Sequence, residues 1–358
     1  MAVHQILVGA SPGDAITQVA LRYRAALLEH GESEVFAIHI DPDVEGHVAR
    51  LLDYENVPRS DDDLLVFHAS IGEPHVFEFL MRRAERVVVV YHNVSPDGPY
   101  RRFAPDFANL LVLGRDELEA LRPKVIAAVA DSAYNARELM AMGYPDVRVL
   151  SPAVAVGDLR ATPPSLSMAH HLRTAVEGPF VLFVGQLLPH KRVEQLLVAY
   201  HILVTYLLPD ANLAAVGPKP LGPYASTLDQ LVRTLGLNAA VLPGRVGAGE
   251  LVAFYERADL FVTLSAHEGF CIPLLEAMSF DLPILACDRA AIPETLGGAG
   301  FLLPPDPSPT LVAEAMAELL GDAALRAELS ARGRMRLATF EPDHLERDFV
   351  DFVLEFAT

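Results

Sequence analysis

The sequence predicts an α/β protein of two doubly wound domains facing a central cleft. Three observations carry this. Short apolar runs alternate with amphipathic stretches in the βαβ rhythm of a parallel sheet covered on both faces. A chain of 358 residues exceeds one ordinary core and suits two. The rhythm lapses between Pro152 and Pro179, around the Pro163-Pro164 pair, and then restarts.

In the first half the predicted strands are Ile6–Val8, Val35–His39, Leu64–His68, Val87–Tyr91, Val125–Ala130 and Val147–Leu150. Helical periodicity fills the gaps, as in Ala15–Glu29 and in Ala133–Met142, which Gly143 stops. In the second half the strands are Val181–Val184, Leu213–Val216, Val241–Leu242, Leu260–Thr263, Ile284–Ala286 and Phe301–Leu303, with helices such as Val193–Leu207 and Leu251–Arg257 between them. Beyond the loop Pro304–Pro309 the chain ends in helices. These readings divide it into residues 1–160, a linker 161–179, a second Rossmann-like domain 180–340, and a final helical segment 341–358. Ligands of doubly wound sheets bind at the carboxyl ends of the strands, which is where the cleft is expected.

Composition narrows the function. Apolar residues make up 51% and charged residues 21%, a globular balance without the signature of disorder. No uncharged apolar run approaches the roughly 18–20 residues that span a bilayer. The opening MAVHQILVGASPGDA has no basic region or long apolar stretch, so it reads as a strand entering a loop and not as a signal peptide. Two cysteines, Cys271 and Cys287, make no disulfide framework and point to a reducing cytoplasm. The formal charge, 28 − 47 = −19, argues against nucleic acid as a partner. Arg82, Arg83, Arg86, Arg101 and Arg102 read as a solvated helix and loop; the alternative is a patch for an anionic acceptor or for peripheral contact with the inner membrane face.

The most informative segment is Ser265-Ala-His-Glu-Gly-Phe-Cys-Ile-Pro-Leu-Leu-Glu276, which follows a buried strand and enters a helix near Pro273. Glu268 in the loop and Glu276 in the helix could each accept hydrogen bonds from sugar hydroxyls. A diphosphate would lie between them at the helix start, where unpaired N–H groups and the macrodipole favour an anion. Gly269 would let a ligand approach the backbone. The bare spacing of two glutamates eight apart is more often that of solvent-facing residues around a turn.

The wider context decides between these. Glu268-Gly-Phe-Cys-Ile-Pro-Leu-Leu-Glu276-Ala-Met, with Leu282-Pro-Ile-Leu-Ala and Ile292-Pro-Glu-Thr-Leu-Gly-Gly-Ala-Gly-Phe, resembles the donor-binding half of family 4 (group 1) glycosyltransferases. These are retaining enzymes of the GT-B fold. The resemblance implies that Glu268, Gly269, Phe270 and Cys271 face the transferred sugar, with Ile272 beside them, and that Glu276 holds the ribose. Phe183-Val-Gly-Gln-Leu-Leu-Pro-His-Lys-Arg192 looks like the same family's strand, glycine and cationic loop, which places Gly185, Gln186 and Lys191 at the pyrophosphate. The family usually carries Arg where Gln186 stands. A diphosphate brings roughly two negative charges, and Lys191 with a helix terminus supplies about 1.5 positive ones. Arg192 or Arg245 could supply the remainder. Leu242-Pro-Gly-Arg-Val246 resembles the base-binding loop, so Arg245 and Val246 are candidate neighbours of the nucleobase.

In the first half, Tyr91-His-Asn-Val-Ser-Pro96 is similar to a Tyr-His-Asn-x-Thr-Pro run in a subset of the family, where the histidine lies near the transferred sugar and can hydrogen-bond a hydroxyl. His92 is therefore a candidate catalytic residue together with Glu268, while His68, at another strand end, reads as structural. Gly9-Ala-Ser-Pro-Gly-Asp-Ala-Ile16 looks like the subset's first glycine loop, with Gly13 opening the way to the amides at the start of a helix. It is not the G-x-G-x-x-G fingerprint of a dehydrogenase. Asp41-Pro-Asp43 and the Asp61–Asp63 run read as turns or loops, so no metal site is expected.

The resemblance implies transfer of a hexose from a UDP- or GDP-linked donor, with retention and without metal or other cofactor. The acceptor could be a saccharide, a lipid-linked saccharide or a small molecule. In related enzymes the final helix crosses back to the first domain, which is the expectation for Glu341–Phe356. The alternatives are a sugar-nucleotide epimerase and a non-catalytic nucleotide-sugar sensor, the latter suggested by Gln186.

Overall fold

A computed structural model describes residues 2–58, 60 and 62–356. Asp61, the first of the acidic run, lies outside the described residues. The chain divides into two compact units.

Unit 1 comprises Met1–Gly98, Pro105–Val154 and Phe340–Thr358. Its strands are β1 (Val3–Ala10), β2 (Val35–Ile40), β3 (Ala49–Arg50), β4 (Leu64–Ala69), β5 (Arg86–Tyr91), β6 (Val125–Ala130) and β7 (Val147–Val149). They form one sheet in the order β3-β2-β1-β4-β5-β6-β7, every pairing parallel. All six side chains of β4 are buried, as are five of the six in β5, because helices cover both faces of a parallel sheet. Helices α1 (Ala15–Leu27), α2 (Pro74–Arg82), α3 (Pro105–Leu121) and α4 (Ala133–Ala141) make the crossovers. Each start is chemically marked. Asp14 and Ser132 cap α1 and α4 with their side chains, and Pro74 opens α2. The two-residue strand β3 has no apolar alternation and escapes sequence reading.

Unit 2 comprises Ala155–Thr339 with the short segment Pro99–Ala104. It opens with α5 (Val156–Ala161) and α6 (Leu166–Ala175), so the stretch expected to be a linker is helical over most of its length. Only Leu172 of α6 is buried, which is why its periodicity is faint. The helix packs on unit 2, and Ser165 N–H donates to the Gly249 carbonyl at 2.7 Å.

The unit 2 sheet contains β8 (Phe180–Val184), β9 (Asn212–Val216), β10 (Ala240–Gly244), β11 (Leu260–Thr263), β12 (Ile284–Cys287) and β13 (Phe301–Leu303). Its order is β10-β9-β8-β11-β12-β13, again all parallel. Around it lie α7 (Val193–Ile202), α8 (Gly222–Thr234), α9 (Ala248–Arg257), α10 (Ile272–Ser279), α11 (Ile292–Leu296), α12 (Pro309–Gly321) and α13 (Ala323–Leu337). The expected single helix over Val193–Leu207 is α7 followed by one π-helical turn, Leu203–Leu207.

The last helix, α14 (Pro342–Leu354), belongs to unit 1. Its Phe349 stacks on Tyr23 of α1 with ring centres 3.6 Å apart, and Glu346 pairs with Arg22.

Candidate active site

In each sheet the strand order reverses direction beside the unit's first strand, leaving a crevice at the carboxyl ends of β1 and β4 in unit 1 and of β8 and β11 in unit 2. Functional candidates collect at both.

In unit 2 the loop after β8 holds Gly185, Gln186 and Lys191, and the loop after β11 holds Glu268 to Cys271. Two contacts join the loops: Ala266 N–H donates to the His190 carbonyl at 2.8 Å, and Lys191 Nζ lies 2.6 Å from Glu268 Oε1. Both members of this ion pair are largely shielded, with side chains 14% and 9% exposed. Burial opposes the Glu268 charge, but the Lys191 ammonium, with His190 behind it, holds the carboxyl below its ordinary value. Burial also opposes the Lys191 charge, and Glu268 more than compensates, so the amine titrates above its ordinary range. His190, buried and bonded to the Tyr100 hydroxyl through Nδ1, is pushed down to about 3 by burial and by the Lys191 charge.

Helix α10 begins at Ile272, and its N-cap is Cys271 in the left-handed region at φ 76°, without a side-chain cap bond. Pro273 brings no N–H and the Leu274 N–H donates to the Cys271 carbonyl at 3.0 Å, so this start offers a ligand fewer backbone donors than a full first turn would. The Cys271 thiol stays protonated: burial and then the Glu268 charge drive its pKa far up. Gly269 and Phe270 precede it, and the Phe270 carbonyl accepts from Thr295 Oγ1 at 2.6 Å. Glu276, half-buried on the next turn, accepts from the Tyr255 hydroxyl at 2.7 Å. Burial raises its pKa, and the Tyr255 bond offsets this in part.

Two expectations about charge change here. Glu268 already offsets the Lys191 ammonium, so the local positive excess is smaller than the count from Lys191 and the helix terminus. Arg192, a candidate for the missing cation, is committed elsewhere: its guanidinium bonds Asp306 Oδ1 at 2.8 Å and the Pro305 carbonyl at 3.2 Å. Its backbone sits at φ 54° as the N-cap of α7. Gln186 and Arg245 are exposed and Val246 is half-buried, the last two in the loop after β10, where Gly244 turns at φ 81°.

In unit 1, His92 follows β5. Its Nδ1 lies 2.8 Å from Asp131 Oδ2 and its Nε2 lies 2.9 Å from His68 Nδ1. The histidine rings are nearly parallel, 13° apart. His68 Nε2 in turn lies 2.9 Å from Gln5 Oε1. His68, read as structural, is thus the direct partner of His92, and both His92 ring nitrogens are engaged by the protein. A hydrogen bond from His92 to a sugar hydroxyl is not open in this arrangement. Burial, and then the neighbouring His92, hold His68 well below an ordinary histidine pKa. Tyr91 and Asn93 face the other way, both reaching Glu138 Oε2 at 2.9 Å, and Asn93 turns the chain at φ 81°.

Gly13 lies in unit 1, and the other donor-binding candidates lie in unit 2. The helix start it introduces is already served, because Asp14 Oδ2 takes the Thr17 N–H at 2.9 Å; an anion there would meet that carboxylate. Around this loop a cavity of about 730 Å³ is lined by Gly9, Ser11, Asp14, His39, Asp41 and His68, among others. Asp41 caps the turn Pro42–Val44, as the turn reading expects. Among the described residues no three His, Cys, Asp or Glu side chains gather into a set that could hold a metal ion.

The arginines read as one stretch are divided. Arg82, Arg83 and Arg86 lie in unit 1, Arg101 and Arg102 in the segment of unit 2. Arg83 pairs with Glu55 and lies over the Phe79 ring, its carbon 4.3 Å from the ring centre. Among the described residues no helix is long and apolar enough to cross a membrane.

Sequence reading missed Asp131, Gln5, Tyr255 and Tyr100. Asp131 has a legible signal, a carboxylate directly after the buried run Val125–Ala130. Gln5 interrupts the apolar run of β1, a second such signal. The two tyrosines are invisible without tertiary packing.

Residues 170–336 match the family Glycosyl transferases group 1. The O-antigen chain mannosyltransferase B of Escherichia coli is 27% identical over 269 residues, covering 73% of this chain and 68% of that protein. The GDP-mannose-dependent alpha-mannosyltransferase of Mycobacterium tuberculosis (strain CDC 1551 / Oshkosh) is 29% identical over 212 residues, 58% of this chain and 52% of that one. This chain therefore spans about half to two thirds of these relatives. Among solved structures, Anabaena Alr3699/HepE in complex with UDP and glucose superposes with a TM-score of 0.77 at 16% identity, covering 99% of this chain and 100% of that one.

Proposed function

We propose that this chain, a glycosyltransferase of the GT-B fold with a glycosyl transferases group 1 domain at residues 170–336, moves a mannosyl group from GDP-mannose to an acceptor hydroxyl with retention and without a metal ion. The observation that carries the reading is the start of α10, with the Lys191–Glu268 pair on one side of it and Glu276 on the other. That arrangement suits a diphosphate flanked by two hydroxyl-rich groups. GDP-mannose is favoured over a UDP-sugar because the relatives named above are mannosyltransferases, one of them GDP-mannose-dependent.

In this mechanism the diphosphate accepts from backbone N–H at the start of α10 and draws Lys191 from Glu268. Glu268, released, accepts from a sugar hydroxyl, and Glu276, oriented by Tyr255, accepts from the ribose. The bond from the anomeric carbon to the phosphate oxygen breaks while the acceptor oxygen attacks on the same face. A phosphate oxygen takes the acceptor's proton. The protein's main work is to stabilise charge developing on the departing diphosphate.

Calorimetric titration tests this with GDP, UDP, GDP-mannose and UDP-glucose. GDP and GDP-mannose should bind, Glu276→Ala should weaken both about tenfold or more, and EDTA should leave turnover unchanged. Equal affinity in Glu276→Ala, or an inverted anomer in the product, would overturn the assignment.

A further inference from the structure

Glu268 is gripped at two points, one from each of the loops that flank its own. Its carboxylate pairs with Lys191, in the loop after β8, and its carbonyl accepts from the Ala291 N–H, in the loop after β12, at 3.3 Å. Beside each holder stands an arginine, Arg192 next to Lys191 and Arg289 two residues before Ala291. Both arginines reach into the loop after β13 and end on the same two residues. Arg192 donates through Nη1 to the Pro305 carbonyl at 3.2 Å and through Nη2 to Asp306 Oδ1 at 2.8 Å. Arg289 donates through Nε to the Pro305 carbonyl at 3.0 Å and through Nη2 to Asp306 Oδ2. Each guanidinium uses two N–H groups of its planar fork, and each oxygen of Asp306 serves one arginine. The anchor is stiff, because Pro304, Pro305 and Pro307 restrict the backbone around Asp306.

Both arginine loops need holding. Arg192 sits at φ 54° and Ala290, next to Arg289, at φ 50°. That left-handed conformation is costly for a residue with a Cβ and persists only where the surroundings impose it. We propose that Arg192, Arg289 and Asp306 form a clamp of positioning residues, holding the loops after β8 and β12 so that Lys191 and Ala291 meet Glu268 in the geometry that receives the donor's diphosphate. That these loops receive a diphosphate rests on the function proposed above; that the clamp holds them does not. The side chain of Asp306 is 67% exposed, so its ion pairs add little to global stability. Their effect is local, on where the two loops sit. Two guanidiniums against one carboxylate also leave a surplus positive charge, which could attract an anion without holding anything. Arg289→Lys separates the two effects. It keeps the cation and loses the fork, so one side chain can no longer span the Pro305 carbonyl and Asp306.

The full chain and its Arg289→Lys variant are compared by amide hydrogen exchange without ligand and by calorimetric titration with GDP. Without ligand, the Ala266 and Ala291 N–H groups, which bond the His190 and Glu268 carbonyls, should exchange about fivefold faster in the variant. The amides of β8 and β11 and the urea midpoint should not change. GDP affinity should fall about fivefold, the range that a surface ion-pair network can carry. Added to Lys191→Met, the same change should alter GDP affinity less than about twofold, because what it disturbs is the placing of Lys191. A fully additive loss there would overturn the positioning role. Asp306→Asn should also weaken GDP binding, although it leaves the loops more positive. Tighter binding in Asp306→Asn with undiminished affinity in Arg289→Lys would make the arginines a plain charge on the ligand and overturn the clamp. Unchanged exchange at Ala266 and Ala291 would overturn it as well. If those amides are freed but the wild-type chain binds no nucleotide diphosphate, the donor-site reading fails and the positioning role with it, while the holding of the loops stands.

Discussion

At the scale of single residues, Lys191 and Glu268 connect stability to chemistry. Removing one member of a shielded ion pair leaves the other without its counter-charge, so Lys191→Met should cost about 3 kcal/mol. The double variant Lys191→Met/Glu268→Gln should recover most of that loss, as urea denaturation in a double-mutant cycle would show. The pH dependence follows from the directions of the shifts. Glu268 titrates below its ordinary 4.5, so its contribution is present above 4.5 and is lost as pH falls through the folded value. Lys191 titrates above 10.5, so its contribution is present below 10.5 and is lost as pH rises through the folded value. The pair therefore stabilises across the whole neutral range. In Lys191→Met burial, the largest influence on Glu268, is opposed only by His190 and a Ser265 hydrogen bond, and the sign should reverse: that variant should gain stability on acidification. Glu276 shows the reversed sign already, because burial raises its pKa above 4.5. Glu276→Gln should raise the melting temperature at pH 7 while weakening nucleotide binding about tenfold. A single substitution that lowered both would break the link between the cost of this carboxylate and its use.

At the scale of elements, the site depends on how closely β8 and β9 end together. Gly217, after β9, has φ 146°, and a Cβ there would lie 2.0 Å from the Gly185 carbonyl oxygen. Gly217→Ala must push aside the turn that leads to Lys191. It should cost about 2 kcal/mol in unfolding free energy and weaken nucleotide binding with it; a variant as stable as the parent would show that the turn has another conformation available. The elements themselves are largely legible in the sequence, for a physical reason. A strand buried on both faces must be a near-continuous apolar run, as in Leu64–Ala69 and Leu260–Thr263, whatever its neighbours are. The helix Leu166–Ala175 was not legible because it buries one side chain, and β3 because two residues carry no period. The site was legible in part on the same principle. The segment from Glu268 to Glu276 is contiguous, so its placement at a helix start can be read locally. The contacts of His92 cannot, because they depend on register: β4 and β5 pair Ala69 with Tyr91 and His68 with Val90, which brings two strand-end histidines together from 24 residues apart. The commitment of Arg192 to Asp306 spans 114 residues and leaves no local trace.

At the scale of the whole molecule, the path of the chain sets what a distant substitution can reach. Unit 1 is discontinuous: its sheet is complete at Val149, yet its last helix arrives only after all of unit 2. Helix α14 contributes Phe349, fully buried and stacked on Tyr23, while Tyr23 in turn lies against His68. Phe349→Ala removes one ring from that stack and should destabilise by about 3–5 kcal/mol. The loss should fall on unit 1, since the partners of Phe349 and of its neighbour Glu346 are in α1. Hydrogen exchange would register this as faster exchange of the α1 and β1 amides, with the amides of β8 and β11 unchanged. A nucleotide diphosphate should act on the other set. Binding at the start of α10 stabilises by about 2.7 kcal/mol at a hundredfold excess over Kd, and protection should appear at residues 185–192 and 268–276. Adding GDP to Phe349→Ala should then protect those two loops while leaving α1 fast. Protection of α1 by nucleotide in this variant would mean that the ligand is held by unit 1, and the donor site would have to be moved there.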